Sequence, residues 1–388
     1  MNGAGPLPQD LPESCNELGH AFRWIHTGTA AFDAIVAMID AATLSVDFEF
    51  YTVAASSAAE RVGAALTRAA RRRLRVRVLI DSFGSSSLPA TWVARLRGEG
   101  AEVRRFNPRP LLRLSFRNHR KLVVCDDRTA FLGGFNVARE YEGDGISKGW
   151  RDFGVVIDGP VAADLALGFH EMFRASNLMR AQLPALARYL RRQPACSDAP
   201  AALTGGPGSS RALMRQTLHA DLKNAQRVDA IAAYFAPSRR IRRLLRNVAR
   251  RGQVRILLGG KSDVPVSRWA CQWLYPGMLR DGVSLWEYQP QILHAKVLVV
   301  DDVVYIGSAN LDTRSLQLNF ELLVRLPSAV LAAQVRRRVD IDCGMSKAVP
   351  ADWARRRSLW QRLIHSWSYF LLTKLDPFLA RKEFRHLS

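Results

Sequence analysis

Two short stretches carry residues suited to chemistry at a phosphorus atom. They are NHRKLVVCDDRTAFLGGFN, from Asn118, and LHAKVLVVDDVVYIGSAN, from Leu293. Both fit the pattern H-x-K-x4-D followed by two small residues and an asparagine. His119, Lys121, Asp126, Gly133, Gly134 and Asn136 correspond to His294, Lys296, Asp301, Gly307, Ser308 and Asn310. An imidazole titrates near neutrality, so one histidine can attack as a neutral nucleophile while the other, protonated, donates to a leaving group. Two lysines and two asparagines supply positive charge and donors for an anion whose charge shifts during reaction. No carboxylate cluster suits Mg²⁺ and no Cys/His set suits Zn²⁺. Metal-free transfer of a phosphoryl or phosphatidyl group through a phosphohistidine uses all these parts, with no cofactor expected.

These residues need strands to hold them. Side chains two apart on a strand share a face, so each His projects beside its Lys. The apolar runs Leu122 to Cys125 and Val297 to Val300 continue each strand into an Asp-Asp turn, where Asp is favoured for local reasons. A second strand then brings the Gly-Gly or Gly-Ser loop back near the His, where small residues let backbone N–H groups approach an anion. The copies differ slightly, with six residues between Asp126 and Gly133 but five between Asp301 and Gly307. Six further histidines (His20, His26, His170, His219, His365 and His386) read as ordinary surface or core residues.

The repeat extends beyond the motifs. VDFEFYTV from Val46 recurs from Val228, and Val76-Arg77-Val78-Leu79-Ile80 matches Val254-Arg255-Ile256-Leu257-Leu258. The order is the same and the offset drifts slowly, which predicts two homologous α/β halves, each with a mixed, largely parallel sheet built on βαβ units. Ser57 and Glu60 have capping-box spacing, and Ile241, Leu244, Leu245 and Val248 precede Gly252 as a helix and its stop. The expected organisation is a polar tail over 1–20, a first half over 21–192, a linker over 193–210, a second half over 211–345 and a C-terminal segment over 346–388. A pseudo-twofold arrangement would bring the two His-Lys edges to one site between the halves.

Across 388 residues, 56 Lys+Arg against 35 Asp+Glu give a net charge of +21, while 48% hydrophobic content supports a folded core. That excludes a disordered polycation and a multi-span membrane protein, and points to a polyanionic partner, nucleic acid or anionic lipid. Cys15, Cys125, Cys196, Cys271 and Cys343 are scattered, so neither a disulfide framework nor a zinc knuckle is expected. The first residues show no signal peptide and no stretch is long and apolar enough to span a bilayer. Near the C-terminus, Trp360, Leu363, Ile364, Trp367, Phe370, Leu371 and Leu375 recur at helical spacing among Arg355, Arg356, Arg357, Arg362, Lys374, Arg381 and Lys382. That basic amphipathic helix suits either a bilayer interface or docking on the protein.

The doubled motif resembles the phospholipase D superfamily, and the chain from about Phe22 to Cys343 is similar to its bacterial cardiolipin synthases. FEFYTV at 48–53, WRDFGVVIDGP at 150–160, AYFAPSRRI at 233–241 and GSANLDTRSLQLNFEL at 307–322 also resemble that branch. Lacking N-terminal spanning helices, the chain looks more like the shorter, B type. The resemblance implies a covalent phosphatidyl intermediate, by position on His119, with His294 as acid and base. It implies Asp152 and Glu321 as carboxylates that hold the histidines, and Asp126 and Asp301 as motif members in a supporting role. Asn136, Asn310, Gly134 and Ser308 are the candidates for binding the phosphate. The implied reaction joins two phosphatidylglycerol molecules into cardiolipin and releases glycerol; hydrolysis of lipid or cleavage of nucleic acid are the alternatives. Arg104, Arg105, Arg109, Arg113 and Arg117 alternate with Leu111, Leu112, Leu114 and Phe116, which suits a lipid surface better than the stacking platforms of a nucleic-acid groove. The expected setting is therefore peripheral, on the cytoplasmic face of a bacterial membrane rich in anionic phospholipid. Oligomeric state is not legible.

Overall fold

In each half a strand, helix, strand unit is extended on one side by hairpins. The computed structural model describes residues 14–107, 117–176, 198–206, 213–353 and 355–375. The first lobe contains β1 (Cys15–Glu17), β2 (His20–Ile25), β3 (Ser45–Phe50), β4 (Arg75–Asp81), β5 (Glu102–Phe106), β6 (Lys121–Cys125), β7 (Thr129–Gly133) and β8 (Gly154–Asp158). They form one sheet ordered β1-β2-β8-β7-β6-β3-β4-β5. The second lobe contains β9 (Ala201–Gly205), β10 (Arg227–Ala232), β11 (Phe235–Ala236), β12 (Gln253–Gly259), β13 (Ser284–Tyr288), β14 (Lys296–Val300), β15 (Val303–Gly307), β16 (Leu311–Asp312), β17 (Glu321–Pro327) and β18 (Ser346–Ala348). Its sheet runs β18-β13-β12-β10-β14-β15-β17-β9, with β11 and β16 paired separately. The central runs β7-β6-β3-β4-β5 and β15-β14-β10-β12-β13 are the duplicated sequence seen as duplicated structure.

The α/β class, the two homologous halves and the mixed sheets are as expected, but the parallel share is smaller. Among the described residues of the two eight-stranded sheets, only β3 with β4, β4 with β5, β10 with β12 and β12 with β13 run parallel. A parallel neighbour needs a crossover long enough for a helix, and Ser57–Arg71, Ala90–Gly98, Arg239–Arg251 and Pro265–Arg280 supply those crossovers. The motif strands are instead joined by tight turns, which can connect only antiparallel partners. Strands β6 (KLVVC) and β14 (KVLVV) are buried along their whole length, as unbroken apolar runs require.

Sheet edges account for the shifted boundaries. The expected tail supplies β1 and the start of β2, the expected linker supplies β9, which pairs with β17, and β18 lies beyond the expected end of the second half. Short edge strands satisfy exposed backbone groups without any hydrophobic period, so sequence patterning does not mark them. Residues 193–197 and 207–210 of that linker lie outside the described residues. The cap of the Ser57–Arg71 helix is also one residue earlier than predicted. The Ser56 hydroxyl accepts from Ala59 N, whereas Ser57 donates to Glu142 at 2.9 Å.

One hydrophobic core joins the lobes. Leu122, Leu132 and Phe169 of the first half pack in the same cluster as Val297, Ile306 and Leu331 of the second, while a separate core lies on the outer side of each sheet. Each lobe repeats an ion pair with a buried aspartate, Asp47 with Arg77 at 2.7 Å and Asp229 with Arg255 at 2.8 Å. Across the lobes, Arg151 meets Asp342 at 3.1 Å, and both are almost fully buried. Among the described residues no helix is long and apolar enough to cross a membrane. Cys15, Cys125, Cys271 and Cys343 are free thiols, and Cys196 lies outside the described residues.

Candidate active site

Both motif histidines stand just before a buried strand, His119 ahead of β6 and His294 ahead of β14, and their backbones are tied to the opposite lobe. His119 N donates to the Phe320 carbonyl at 2.9 Å, and Phe320 N donates to the Arg117 carbonyl at 2.9 Å. The second lobe mirrors this, with His294 N donating to Arg151 O at 2.7 Å and Arg151 N donating to Ile292 O at 2.8 Å. Phe320 and Arg151 each precede a carboxylate residue. This backbone registry therefore sets Glu321 beside His119 and Asp152 beside His294, so each histidine is held by the carboxylate of the other half.

His119 Nδ1 lies 3.1 Å from both Glu321 oxygens, and His294 Nδ1 lies 2.7 Å from Asp152 Oδ2. A carboxylate accepting from Nδ1–H fixes the tautomer and leaves Nε2 for chemistry. Both imidazoles and both carboxylates border or underlie one cavity of about 810 Å³ between the lobes, which Asn136, Asn310, Tyr51 and Tyr141 also line. The two His-Lys edges thus converge on one site.

Burial dominates the electrostatics. It pulls His119 down to about 4 and His294 to about 3, against the opposing pull of Glu321 and Asp152. Both are therefore neutral at neutral pH. Burial likewise draws Lys121 down to about 7 and Lys296 to about 8, with Lys121 further lowered by the ammonium of Lys296. Burial pushes Glu321 up, but His119 and Lys121 overcome it and hold the carboxyl below its ordinary value. An arriving phosphate anion relieves the repulsion between the lysines and favours protonation of one imidazole. Lys121 Nζ donates to the His119 carbonyl at 2.6 Å, and Lys296 donates to the His294 carbonyl.

Other motif members serve differently from expectation. Gly134 and Ser308 do not offer backbone donors to an anion, because their N–H groups donate to Phe153 O at 3.1 Å and Leu322 O at 2.8 Å. They sit behind the carboxylates. The Ser308 hydroxyl donates to Glu321 Oε2 at 2.5 Å, and a Cβ on Gly134 would come within 2.1 Å of Asp152 Oδ1. The serine-glycine difference follows from which carboxylate must fit, the longer Glu with a hydroxyl support or the shorter Asp against a bare backbone.

Asp126 and Asp301 are absent from the cavity. They occupy the far ends of β6 and β14 in left-handed backbone, at φ 55° and 45°. Asp126 accepts from the N–H groups of Thr43, Leu44 and Ser45, each at 2.8 Å, and Asp301 accepts from Gln226 N at 2.9 Å and Arg227 N at 2.8 Å. Each therefore anchors the start of the neighbouring strand, β3 or β10. Neither is among the residues that line the cavity.

Several cavity residues carry no motif signal. The Tyr141 hydroxyl stands 3.2 Å from His294 Nδ1 and 3.3 Å from Nε2 and receives a hydrogen bond from Asn136 Nδ2 at 2.9 Å. Tyr51 packs edge-on against His119, and Tyr234 against His294, with centroids 4.9 Å and 6.2 Å apart. These last two follow the repeated Val-Asp strands at nearly the same offset, a signal the repeat contains. Of the arginines before the first motif, Arg117 lines the cavity, Arg104 pairs with Glu102 and covers Phe173, and Arg109 and Arg113 lie outside the described residues. Among the described residues, the acidic and histidine groups close enough to share a metal ion are Asp47, Asp127 and His170, which do not line the cavity.

A two-lobed α/β fold with paired histidines on a shared interlobe cavity defines the phospholipase D-like class of phosphodiester enzymes. A family model described as "Cardiolipin synthase, PLD-like domain" matches residues 35–172 and 218–342. Cardiolipin synthase A of Pseudomonas entomophila is 34% identical over 87% of this chain and 71% of its own length. Cardiolipin synthase B of Salmonella typhi is 32% identical over 78% and 75%. A crystal structure of phosphatidylserine synthase from Haemophilus influenzae superposes with a TM-score of 0.71 over 92% of this chain and 94% of that one, at 14% identity. The chain belongs to the phospholipase D-like cardiolipin synthase family, a family of phosphatidyltransferases. The likeness extends to relatives of both the A and the B designation, so the narrower B type is not singled out.

Proposed function

We propose that this chain makes cardiolipin by moving a phosphatidyl group from one phosphatidylglycerol to the hydroxyl of another. The observation that carries the reading is the crossed pair of histidine-carboxylate couples on one cavity. His119 Nε2 attacks phosphorus as a neutral nucleophile while Glu321 takes up the charge that develops on the ring. The bond from phosphorus to the glycerol oxygen breaks, and protonated His294 donates to that oxygen. Glycerol leaves, and the now neutral His294 accepts the proton of the incoming hydroxyl as that oxygen attacks phosphorus. The P–N bond breaks, cardiolipin departs and His119 is regenerated. One phosphodiester replaces another, so no nucleotide is consumed.

His119 is assigned as nucleophile from its place in the first motif; the Tyr141 hydroxyl lies 3.2 Å from His294 Nδ1 and 3.3 Å from Nε2 and does not distinguish the two ring nitrogens. Lys121, Lys296, Asn136 and Asn310 steady the phosphate, and seating the lipid in the cavity limits the access of water to the intermediate. The enzyme on this reading is peripheral to the cytoplasmic face of a bacterial membrane, with anionic phospholipid as both substrate and surface. Incubation of the purified chain with phosphatidylglycerol vesicles and EDTA tests it. Cardiolipin plus glycerol is expected, lost in His119→Ala and His294→Ala. Phosphatidic acid alone would make the chain a hydrolase, and cleaved DNA with untouched lipid would assign it to nucleic acid.

A further inference from the structure

The helix Leu359–Phe370 is seated with its apolar side outward. Its buried residues are His365 and Ser368, and His365 stacks on Trp353 at 5.8 Å between centroids. Turned to solvent are Leu359, Trp360, Leu363, Ile364, Trp367 and Phe370, between 43% and 76% exposed. At 3.6 residues per turn these six fall within an arc of about 140°, with the buried pair on the opposite side. A helix docked only to complete a core would bury that arc. Contiguous apolar surface of this kind marks a binding face.

Two further features say what covers it. Between Trp353 and Leu375 the chain carries Arg355, Arg356, Arg357, Arg362 and Lys374 and no acidic residue. Beyond the helix, Leu371, Leu372 and Leu375 line the cavity that holds His119 and His294. Arg356 pairs with Asp352 at 2.9 Å, which still leaves an excess of cations, and tryptophan-rich apolar surface beside such an excess matches the headgroup layer of an anionic bilayer.

We propose that this helix docks the enzyme on an anionic membrane, lying in the interface with Trp360, Leu363 and Trp367 inserted and holding the cavity mouth against the lipid. Substrate then passes from the bilayer into the site beside Leu371 and Leu372. The proposal rests on the phospholipid reading of the site. The test compares the full chain with a variant combining Trp360→Gln, Leu363→Gln and Trp367→Gln, all exposed and outside the cavity. Binding is followed by co-sedimentation with phosphatidylglycerol vesicles and with pure phosphatidylcholine vesicles. Turnover is followed on short-chain phosphatidylglycerol dissolved as monomer.

The variant is expected to bind phosphatidylglycerol vesicles on the order of tenfold or more weakly, while monomeric lipid is turned over as before. The parent should bind phosphatidylcholine less well and lose phosphatidylglycerol vesicles as salt rises. Unchanged vesicle binding by the variant would overturn the proposal. So would a parent dimer that the substitutions dissociate without altering vesicle affinity, since the face would then belong to a second copy. Vesicle binding without turnover of monomeric lipid by the parent would count against the site reading and still support the docking face.

Discussion

Each catalytic candidate is an imidazole caught between an ammonium and a carboxylate, half-buried for His119 and buried for His294, and the balance among these three groups sets what it can do. Asp152→Asn keeps the shape of the His294 site but removes the charge that stabilises its protonated form, and it permits the wrong tautomer. Turnover of phosphatidylglycerol should fall roughly a thousandfold or more with little change in KM, as for an amide replacing the orienting acid of a histidine. A loss below about tenfold would rule out the orienting role. Because burial lowers Lys121 to about 7 and Lys296 to about 8, the lysines shed their protons just above neutrality. The kcat/KM profile should therefore decline as pH rises through that window, and a flat profile across it would show that neither charge aids the phosphate. The histidines and lysines were legible in the sequence because they sit in a repeated pattern, whereas the two carboxylates were named only through the resemblance to a known family. The crossing of carboxylates between lobes was not legible, since it depends on registry between segments 202 and 142 residues apart. Tyr141 was hidden for another reason, lying in a short 3-10 turn with no periodicity.

The strands and turns show what the rest of the motif is for. Asp126 holds the start of β3 through backbone N–H groups, and its left-handed backbone closes the turn into β7. Asp126→Ala should cost about 2 kcal/mol in urea denaturation through those lost bonds, while kcat stays close to that of the parent. An equal fall in kcat with unchanged stability would return Asp126 to the chemistry. That supporting role could be read from the sequence, because Asp at a hairpin turn has a local reason to be there. The parallel share of the sheets could not. Apolar strand runs look alike whichever way their neighbours point, and only connection length distinguishes a crossover from a hairpin. The edge strands β1 and β18 left no signal because three residues are too few for any period, and β9 (AALTG) lies in a stretch whose Ala, Gly and Pro content reads as a linker.

At the scale of the molecule, duplication makes one site out of two halves, and the contacts that lock the halves together are part of that site. Arg151 shows this, since its backbone carries the bond to His294 while its side chain reaches Asp342 and the His26 carbonyl. Arg151→Ala leaves Asp342 with Arg338 as its remaining partner and should destabilise the chain by about 2–3 kcal/mol, read by thermal or urea unfolding. Stability equal to the parent would mean that the shared hydrophobic core alone fixes the lobes. The two-half plan was legible in the drifting repeat. The shared core was not, because both faces of each sheet are apolar and sequence does not say which face meets the other lobe.

The central claim is that the two halves divide one reaction, with His119 as nucleophile and His294 as its acid and base. Rapid quenching of the enzyme with phosphatidylglycerol, followed by peptide mass mapping under conditions that preserve phosphohistidine, tests it most directly. The account predicts a phosphatidyl adduct on His119, absent from His119→Ala and accumulating in His294→Ala when a donor with a good leaving group removes the need for the acid. An adduct on His294, or turnover with none on either histidine, would contradict it.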